Sequence, residues 1–499
     1  MTSPQMDSMP IPVRGHQWRM ATVLVGCLAM LFLVTCLFAP IWHDEALILL
    51  EFSGHREWPA GIVSAGTLQS AMHERTSFAQ LFSDMARLNY DIHPPLYYVL
   101  LWCWRGLAGS SLFSLRLFSA VIWLAFLVVF WKWSKSTIAV ALCTLSYVGI
   151  TFATMGRNYA LACFWIVLAA YLWDPKHHPS NAALIFGSIA GGLAVWTHYF
   201  ALFPVAAMIL FHAADTWRTE PRRALLAMSI SALVAAPVSY FAISQIRPPT
   251  PALFPGVVHE GYLVFRNLLR MPLAPSLTAG RAIDAAASVL FLFPLLAVPV
   301  TWRRRSVNVR SSFCLVISFS VLMVLSSFFL KAELGAIRYL GLVAPFAYLL
   351  IGDVLGGLVG IHRAWKYVAV AVMLVAAGPD TGGLLKLASD RLTAFADATG
   401  TRRRLIVLSA GSRPPFGYDR DGINGVIIHD VPPSADVVVL RWKGPLGPID
   451  AAAAKYDEMF YCPSPEVDEE LPISELPLLQ KFNRTPVMLF RGYACFIRR

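Results

Sequence analysis

Charge is scarce in this sequence. Only 14% of its 499 residues are Asp, Glu, Lys or Arg, against about 25% in soluble domains, while 57% are hydrophobic and the mean hydropathy is +0.58. That balance excludes a soluble globular protein and predicts an integral membrane protein with many crossings. Nucleotide signatures are missing too: no Walker loop, no G-x-G-x-x-G between a strand and a helix, and no D-x-D pair in a connection expected on the cytoplasmic side. No C-x-x-C spacing occurs among the eight cysteines. Six of them (Cys27, Cys36, Cys103, Cys143, Cys163 and Cys314) lie in apolar stretches and read as small core residues. Only Cys462 and Cys495 lie in the polar tail, where they could pair if the tail faces an oxidising compartment. No internal repeat is present.

The formal net charge is +11. In a polytopic chain this is explained by basic residues collecting in cytoplasmic loops rather than by nucleic-acid binding. Spans of about 20 apolar residues read near 20–39, 112–131, 136–153, 157–173, 182–198, 199–214, 224–243, 284–301, 311–330, 338–358 and 365–378. Arg14 and Arg19 before the first run fit a retained span with the N-terminus inside. The basic connections KWSK, DPKHHPSN, DTWRTEPRR, WRRRSVNVR and HRAWK then all fall in the cytoplasm, provided the segment 94–109 does not cross. That segment is short, rich in Trp and Tyr and opens with Pro94 and Pro95, which suits a helix lying in the membrane interface. The expected fold is a polytopic α-helical membrane protein with about eleven spans, external juxtamembrane helices in a first loop of residues 40–111, and a small C-terminal α/β domain. The division is 1–378 and 379–499, the runs RLIVLS, GVIIHD, DVVVLRW and PVMLFRG in the second part reading as strands.

On this topology the notable polar residues share the outer face. Asp44 and Glu45 follow the first span, and Asp91 and His93 precede the interfacial helix. Arg157 and Tyr159 (MGRNYA), His198 and Tyr199 (WTHYF), and Lys331, Arg338 and Tyr339 (KAELGAIRYL) sit at outer helix ends. One arginine at a helix end commonly snorkels to headgroups and one His beside Tyr is commonly packing; joint sidedness is what raises these above that baseline. Carboxylates orient or deprotonate a hydroxyl nucleophile. Arginines bind phosphate oxygens, and further cations steady charge on a departing phosphate. Since no nucleotide site is visible, an activated group has to arrive on a membrane lipid. Two other classes remain: a flippase or transporter for a lipid-linked sugar, which needs a polar path that the few mid-span charges do not supply, and a polysaccharide polymerase or ligase.

Taken in order, HDEA, DIHPPLYY, SLRLFSA, GRNYAL, THYFALF and RYLGLVAPF resemble the GT-C glycosyltransferases that use polyprenyl-phosphate sugars. The chain is most similar to the branch related to protein O-mannosyltransferases and the aminoarabinose transferase of lipid A. The resemblance spans residues 40–350. It implies an inverting sugar transfer from a polyprenyl-phosphate donor to a hydroxyl of a glycolipid, polysaccharide or protein, at the external face of a bacterial inner membrane. It implies Asp44 as general base and Glu45 as its paired acid. His93, Asp91, Arg157, Tyr159, His198, Tyr199, Lys331, Arg338 and Tyr339 would bind donor phosphate or substrate. His93 stands where the lipid A branch has a lysine, which leaves Arg157 and Arg338 as the permanent cations. No metal is required in that scheme, although Asp44, Glu45 and Asp91 could hold a divalent cation.

Overall fold

Long apolar runs capped by serine, rather than by charge, organise the chain into helices. The structure, a computed structural model, describes residues 41, 43–53, 62–86, 93–174, 178, 180–216, 220–244, 256–270, 281–330 and 337–361. In the C-terminal part it describes 404–409, 428, 434, 436–440, 458–462, 488–490 and 493–498. The first loop contributes helix α1 (His43–Ser53), strand β1 (Ile62–Ser64), and helices α2 (Ala65–Met72), α3 (Phe78–Ala86) and α4 (Leu96–Ala108). The bundle follows with α5 (Leu112–Ser134), α6 (Thr137–Leu145), α7 (Tyr147–Thr154), α8 (Tyr159–Trp173), α9 (Asn181–Thr197), α10 (Leu202–Thr216), α11 (Pro221–Ala235) and α12 (Val238–Ser244). It continues with α13 (Val257–Arg270), α14 (Arg281–Val300), α15 (Val307–Leu330), α16 (Ile337–Leu340) and α17 (Ala344–Ile361). Strands β2 (Arg404–Ser409), β3 (Asp436–Leu440), β4 (Glu458–Cys462), β5 (Met488–Phe490) and β6 (Tyr493–Arg498) close the chain.

Among the described residues three helices are long and apolar enough to cross a membrane, Leu112–Ser134, Val307–Phe329 and Arg338–Gly357. The span expected at 136–153 is instead a bent pair, α6 and α7, meeting at 63°. Ser146 makes the corner. It is extended (ψ 158°), its N–H donates to Leu142 O, and its hydroxyl accepts from Gly149 N, which restarts the helix. The corner requires glycine at 149, because a Cβ there would stand 1.7 Å from the Cys143 carbonyl oxygen. The span expected at 224–243 is likewise divided, between α11 and α12 around Pro237. The expected spans at 20–39 and 365–378 lie outside the described residues.

Helix α4 has 13 residues and so a length of about 20 Å, short of the roughly 30 Å hydrocarbon core. It is fastened sideways to the preceding turn. Trp102 Nε1 donates to Thr76 O at 3.1 Å and Arg105 Nη2 to Glu74 O at 3.2 Å, while the Arg75 guanidinium lies 3.7 Å over the Trp102 ring. Burial, and then the Arg75 charge, lower Arg105 to about 10, which leaves it a cation at neutral pH. At its far side Trp104 Nε1 reaches Ser114 O at 2.9 Å, tying α4 to the start of α5.

Two apolar cores result. The larger runs through α5 to α10 and α13 to α17, with Trp123, Phe126 and Phe130 stacked along α5. The smaller holds Ile41 just before α1, Ala46, Ile48 and Leu49 of α1, Tyr97 and Tyr98 of α4, and Ile428 and Val437 from the C-terminal part. The C-terminal strands form one sheet of order β1-β3-β2-β4-β6-β5, parallel in its middle (β2 with β3 and with β4) and antiparallel at its margins. Three of its strands, β2, β3 and β5, fall on runs read as strands from the sequence. The described residue of GVIIHD, Ile428, is helical rather than extended. Strand β1 comes from the first loop, more than 370 residues before its partner: Ile62 pairs Val438, Val63 pairs Val437 and Ser64 pairs Asp436.

Candidate functional site

Asp44 and Glu45 open α1, where carboxylates favour the positive end of the helix dipole. Their side chains diverge. Glu45 is fully buried, and Arg116 grips it bidentately, Nε to Oε1 at 2.9 Å and Nη2 to Oε2 at 2.8 Å. Gly156 N adds a third bond to Oε1 at 3.1 Å. Glycine is needed here as well, since a Cβ at 156 would press 2.3 Å from Leu115. Arg116 sits one turn into α5 and is 1% exposed, a partner for Glu45 that the string SLRLFSA does not announce. A guanidinium inside a long apolar helix is costly unless paired, and that cost was the available signal.

Asp44 faces elsewhere. Its Oδ1 lies 3.7 Å from Arg157 Nη2 and its Oδ2 lies 3.6 Å from Arg338 Nη1. These are charge contacts longer than a good charge-assisted hydrogen bond. Arg157 is buried, whereas the Arg338 side chain is 50% exposed, so the cluster opens on that side. Among the described residues, Arg116 pairs with Glu45, and two further arginines stand against the Asp44 carboxylate. The group as a whole is suited to an anion.

The turns that carry these residues are locked together. MGRNYA connects α7 to α8, and Asn158 Nδ2 donates to Thr197 O at 2.8 Å, pinning it to the end of α9. There His198 ends the helix in an extended conformation, and its Nδ1 accepts from Phe200 N at 3.2 Å. A neutral imidazole with Nδ1 accepting carries its proton on Nε2. The His198 ring meets His93 at 5.1 Å, Tyr159 at 5.4 Å and Tyr339 at 6.1 Å between centroids. The Arg338 guanidinium stands 5.1 Å over the Tyr339 ring.

Asp44, Glu45, His93, Arg157, Tyr159, His198, Arg338 and Tyr339 are thereby gathered at one end of the bundle. Tyr199 begins the 3-10 turn after His198 and is half-buried. Asp91 and Lys331 lie outside the described residues. Of the three carboxylates expected to be able to hold a cation, Glu45 has both oxygens engaged by Arg116 and Gly156. An open cleft of about 110 Å³ lies at the other end of α5 and α8, lined by Trp133, Trp173, Asp174, His212 and Asn308, and is separate from this cluster.

No protein-family model matches the chain, and no curated protein does. Solved structures do. ArnT from Cupriavidus metallidurans in the apo state aligns over 97% of this chain and 98% of its own, with a TM-score of 0.54 and 12% identity. The chain has the ArnT fold. ArnT bound to undecaprenyl phosphate aligns over the same shares with a TM-score of 0.49 and 12% identity. At that identity the ArnT likeness is one of architecture, and it agrees with the GT-C resemblance carried by the ordered motifs from HDEA to RYLGLVAPF.

Proposed function

We propose that the protein is a membrane glycosyltransferase that moves a sugar from a polyprenyl-phosphate donor to a hydroxyl acceptor at the external face of a bacterial inner membrane. The observation that carries this reading is the Asp44 carboxylate set between Arg157 and Arg338, 3.7 and 3.6 Å away. ArnT, whose fold the chain shares, is a protein that binds undecaprenyl phosphate, which fits this donor class.

In this scheme the donor phosphate takes Arg157 and Arg338 as its counter-charges. The Asp44 carboxylate, relieved of them, accepts the acceptor's hydroxyl proton. The acceptor oxygen attacks the anomeric carbon, the bond from that carbon to the phosphate oxygen breaks, and the pair leaves on the lipid phosphate, with inversion. Both arginines stabilise the charge as it develops. His93 and the Nε2 proton of His198 supply hydrogen bonds without permanent charge. Tyr159 and Tyr339 wall the cluster beside the sugar, and Tyr199, Lys331 and Asp91 extend the same face. Glu45 is a positioning residue: held by Arg116 and Gly156, it fixes the first turn of α1 and thus the neighbouring aspartate. The transfer needs no metal in this scheme.

The test is to incubate purified protein with a panel of polyprenyl-phosphate sugars and envelope extract. Released lipid phosphate is measured, and mass spectrometry looks for an acceptor gaining a pentose- or hexose-sized increment. Acceptor-dependent release that disappears in Asp44→Asn supports the proposal. Donor movement across the bilayer without lipid phosphate release would replace it with a flippase, and undiminished activity in Asp44→Asn would remove Asp44 from the chemistry.

A further inference from the structure

Among the described residues, the first loop and the C-terminal part are joined by three ties, the last of which reaches the helix that carries Asp44. The first is backbone pairing: β1 is the edge strand of the C-terminal sheet, laid antiparallel on β3 from Ile62 opposite Val438 to Ser64 opposite Asp436. The second is polar: Gln69 Nε2 of α2 donates to Ile428 O at 2.8 Å. The third is apolar: Ile428 and Val437, both fully buried, share a core with Ala46, Ile48 and Leu49 of α1, and Val63 packs against it. Ser64 makes the connection stiff. It is the last residue of β1 and also the N-cap of α2, its hydroxyl accepting from Thr67 N at 3.1 Å. No slack separates the strand from the helix that packs on α1.

We propose that the C-terminal sheet is a positioning element of the transfer reaction, holding α1 so that the Asp44 carboxylate stays in register with Arg157 and Arg338. This rests on the transferase reading. The physical argument is one of tolerance. A catalytic carboxylate displaced by about 1 Å loses on the order of a hundredfold in rate. Helix α1 has 11 residues, and helices of that length are marginal unless packed on a neighbour. One such neighbour is the C-terminal part, through Val437 of β3 and through Ile428 beside the sheet, both in one core with Ala46, Ile48 and Leu49. The arginines belong to the bundle, Arg157 between α7 and α8 and Arg338 in α16. Loosening the sheet therefore moves the base relative to the phosphate site and leaves the phosphate site intact.

Three variants of the full-length chain test this. Ile428→Asp places a charge in the shared core, Gln69→Ala removes the polar tie alone, and Ile428→Val is the conservative control. The expected result for Ile428→Asp is a kcat reduced at least about tenfold with the donor KM changed by less than about threefold. Hydrogen exchange over residues 43–53 should quicken in the same protein. Gln69→Ala should show the same split at roughly threefold, and Ile428→Val should stay within about twofold of the parent. Parental kcat in both disruptive variants, or a fall in kcat without faster exchange in α1, would overturn the proposal, as would a rise in KM alone. If Ile428→Asp does not fold, Gln69→Ala decides. If the parent releases no lipid phosphate with any donor, the transferase reading fails by itself. The exchange rate of α1 then still reports whether the sheet holds that helix.

Discussion

Asp44 is flanked by cations rather than neutralised by one, and its behaviour on substitution should differ from that of the residue beside it. Asp44→Asn keeps shape and removes the proposed proton acceptor, so turnover should fall by about 10²–10⁴ while the protein inserts and purifies normally; lipid phosphate release checks this. Replacing Arg157 or Arg338 by Ala should weaken binding of undecaprenyl phosphate by about 10- to 100-fold each, the range of a charge-assisted hydrogen bond. Arg157 should tolerate the change worse, because it is 5% exposed against 50% for Arg338. The Glu45–Arg116 pair is of another kind. Both members are buried, so Arg116→Met alone strands a carboxylate and should cost about 3–5 kcal/mol, seen as a lowered unfolding temperature in detergent. Glu45→Met with Arg116→Met together should recover most of that stability without recovering full activity.

At the scale of elements, the places where sequence and structure agree share a cause, and so do the places where they part. Helix α4 was legible because paired prolines, clustered Trp and Tyr and a short length all point the same way, and its sideways fastening through Trp102 and Arg105 is what those residue types are suited to. The corner between α6 and α7 was not legible, because TIAVALCTLSYVGITFAT is uncharged and hydropathic from end to end, and hydropathy carries no record of a bend. Only the carbonyl of Cys143 lying against Gly149 reveals it. Gly149→Ala should therefore destabilise the protein by about 1–3 kcal/mol, measurable as a lower unfolding temperature, although the substitution looks harmless by composition. In the C-terminal sheet the antiparallel register of β4 and β6 pairs Met459 with Arg498, Phe460 with Ile497 and Tyr461 with Phe496. Continued by one step, that backbone register sets position 462 opposite position 495, both cysteine in the sequence. Mass spectrometry of the unreduced, digested protein should recover the two cysteine peptides joined if that sheet faces an oxidising compartment, and separate if it does not.

For the molecule as a whole, the architecture was readable because membrane burial demands long apolar helices whose loops advertise their side by charge. The gathering of HDEA, GRNYAL, THYFALF and RYLGLVAPF at one end followed from placing helix ends on a common face. What sequence order could not convey was Arg116 reaching back to Glu45, or a strand of the first loop completing a sheet at the far terminus. Both are long-range pairings: a guanidinium in an apolar helix signals that a partner exists, but local sequence does not say which residue it is. Sidedness itself is open to measurement: cysteines introduced into WRRRSVNVR should be shielded from an impermeant thiol reagent in intact cells, and cysteines in the C-terminal part should react.

The β1–β3 ladder also sets a schedule for biogenesis. The ribosome finishes Ile62 about 370 residues before it finishes Val438, a delay of roughly 20 s or more at bacterial elongation speeds. Throughout that interval the leading strand has an exposed edge and no mate. If the C-terminal sheet positions α1 as proposed, nonsense products lacking only the last hundred or so residues should accumulate as inserted but inert protein.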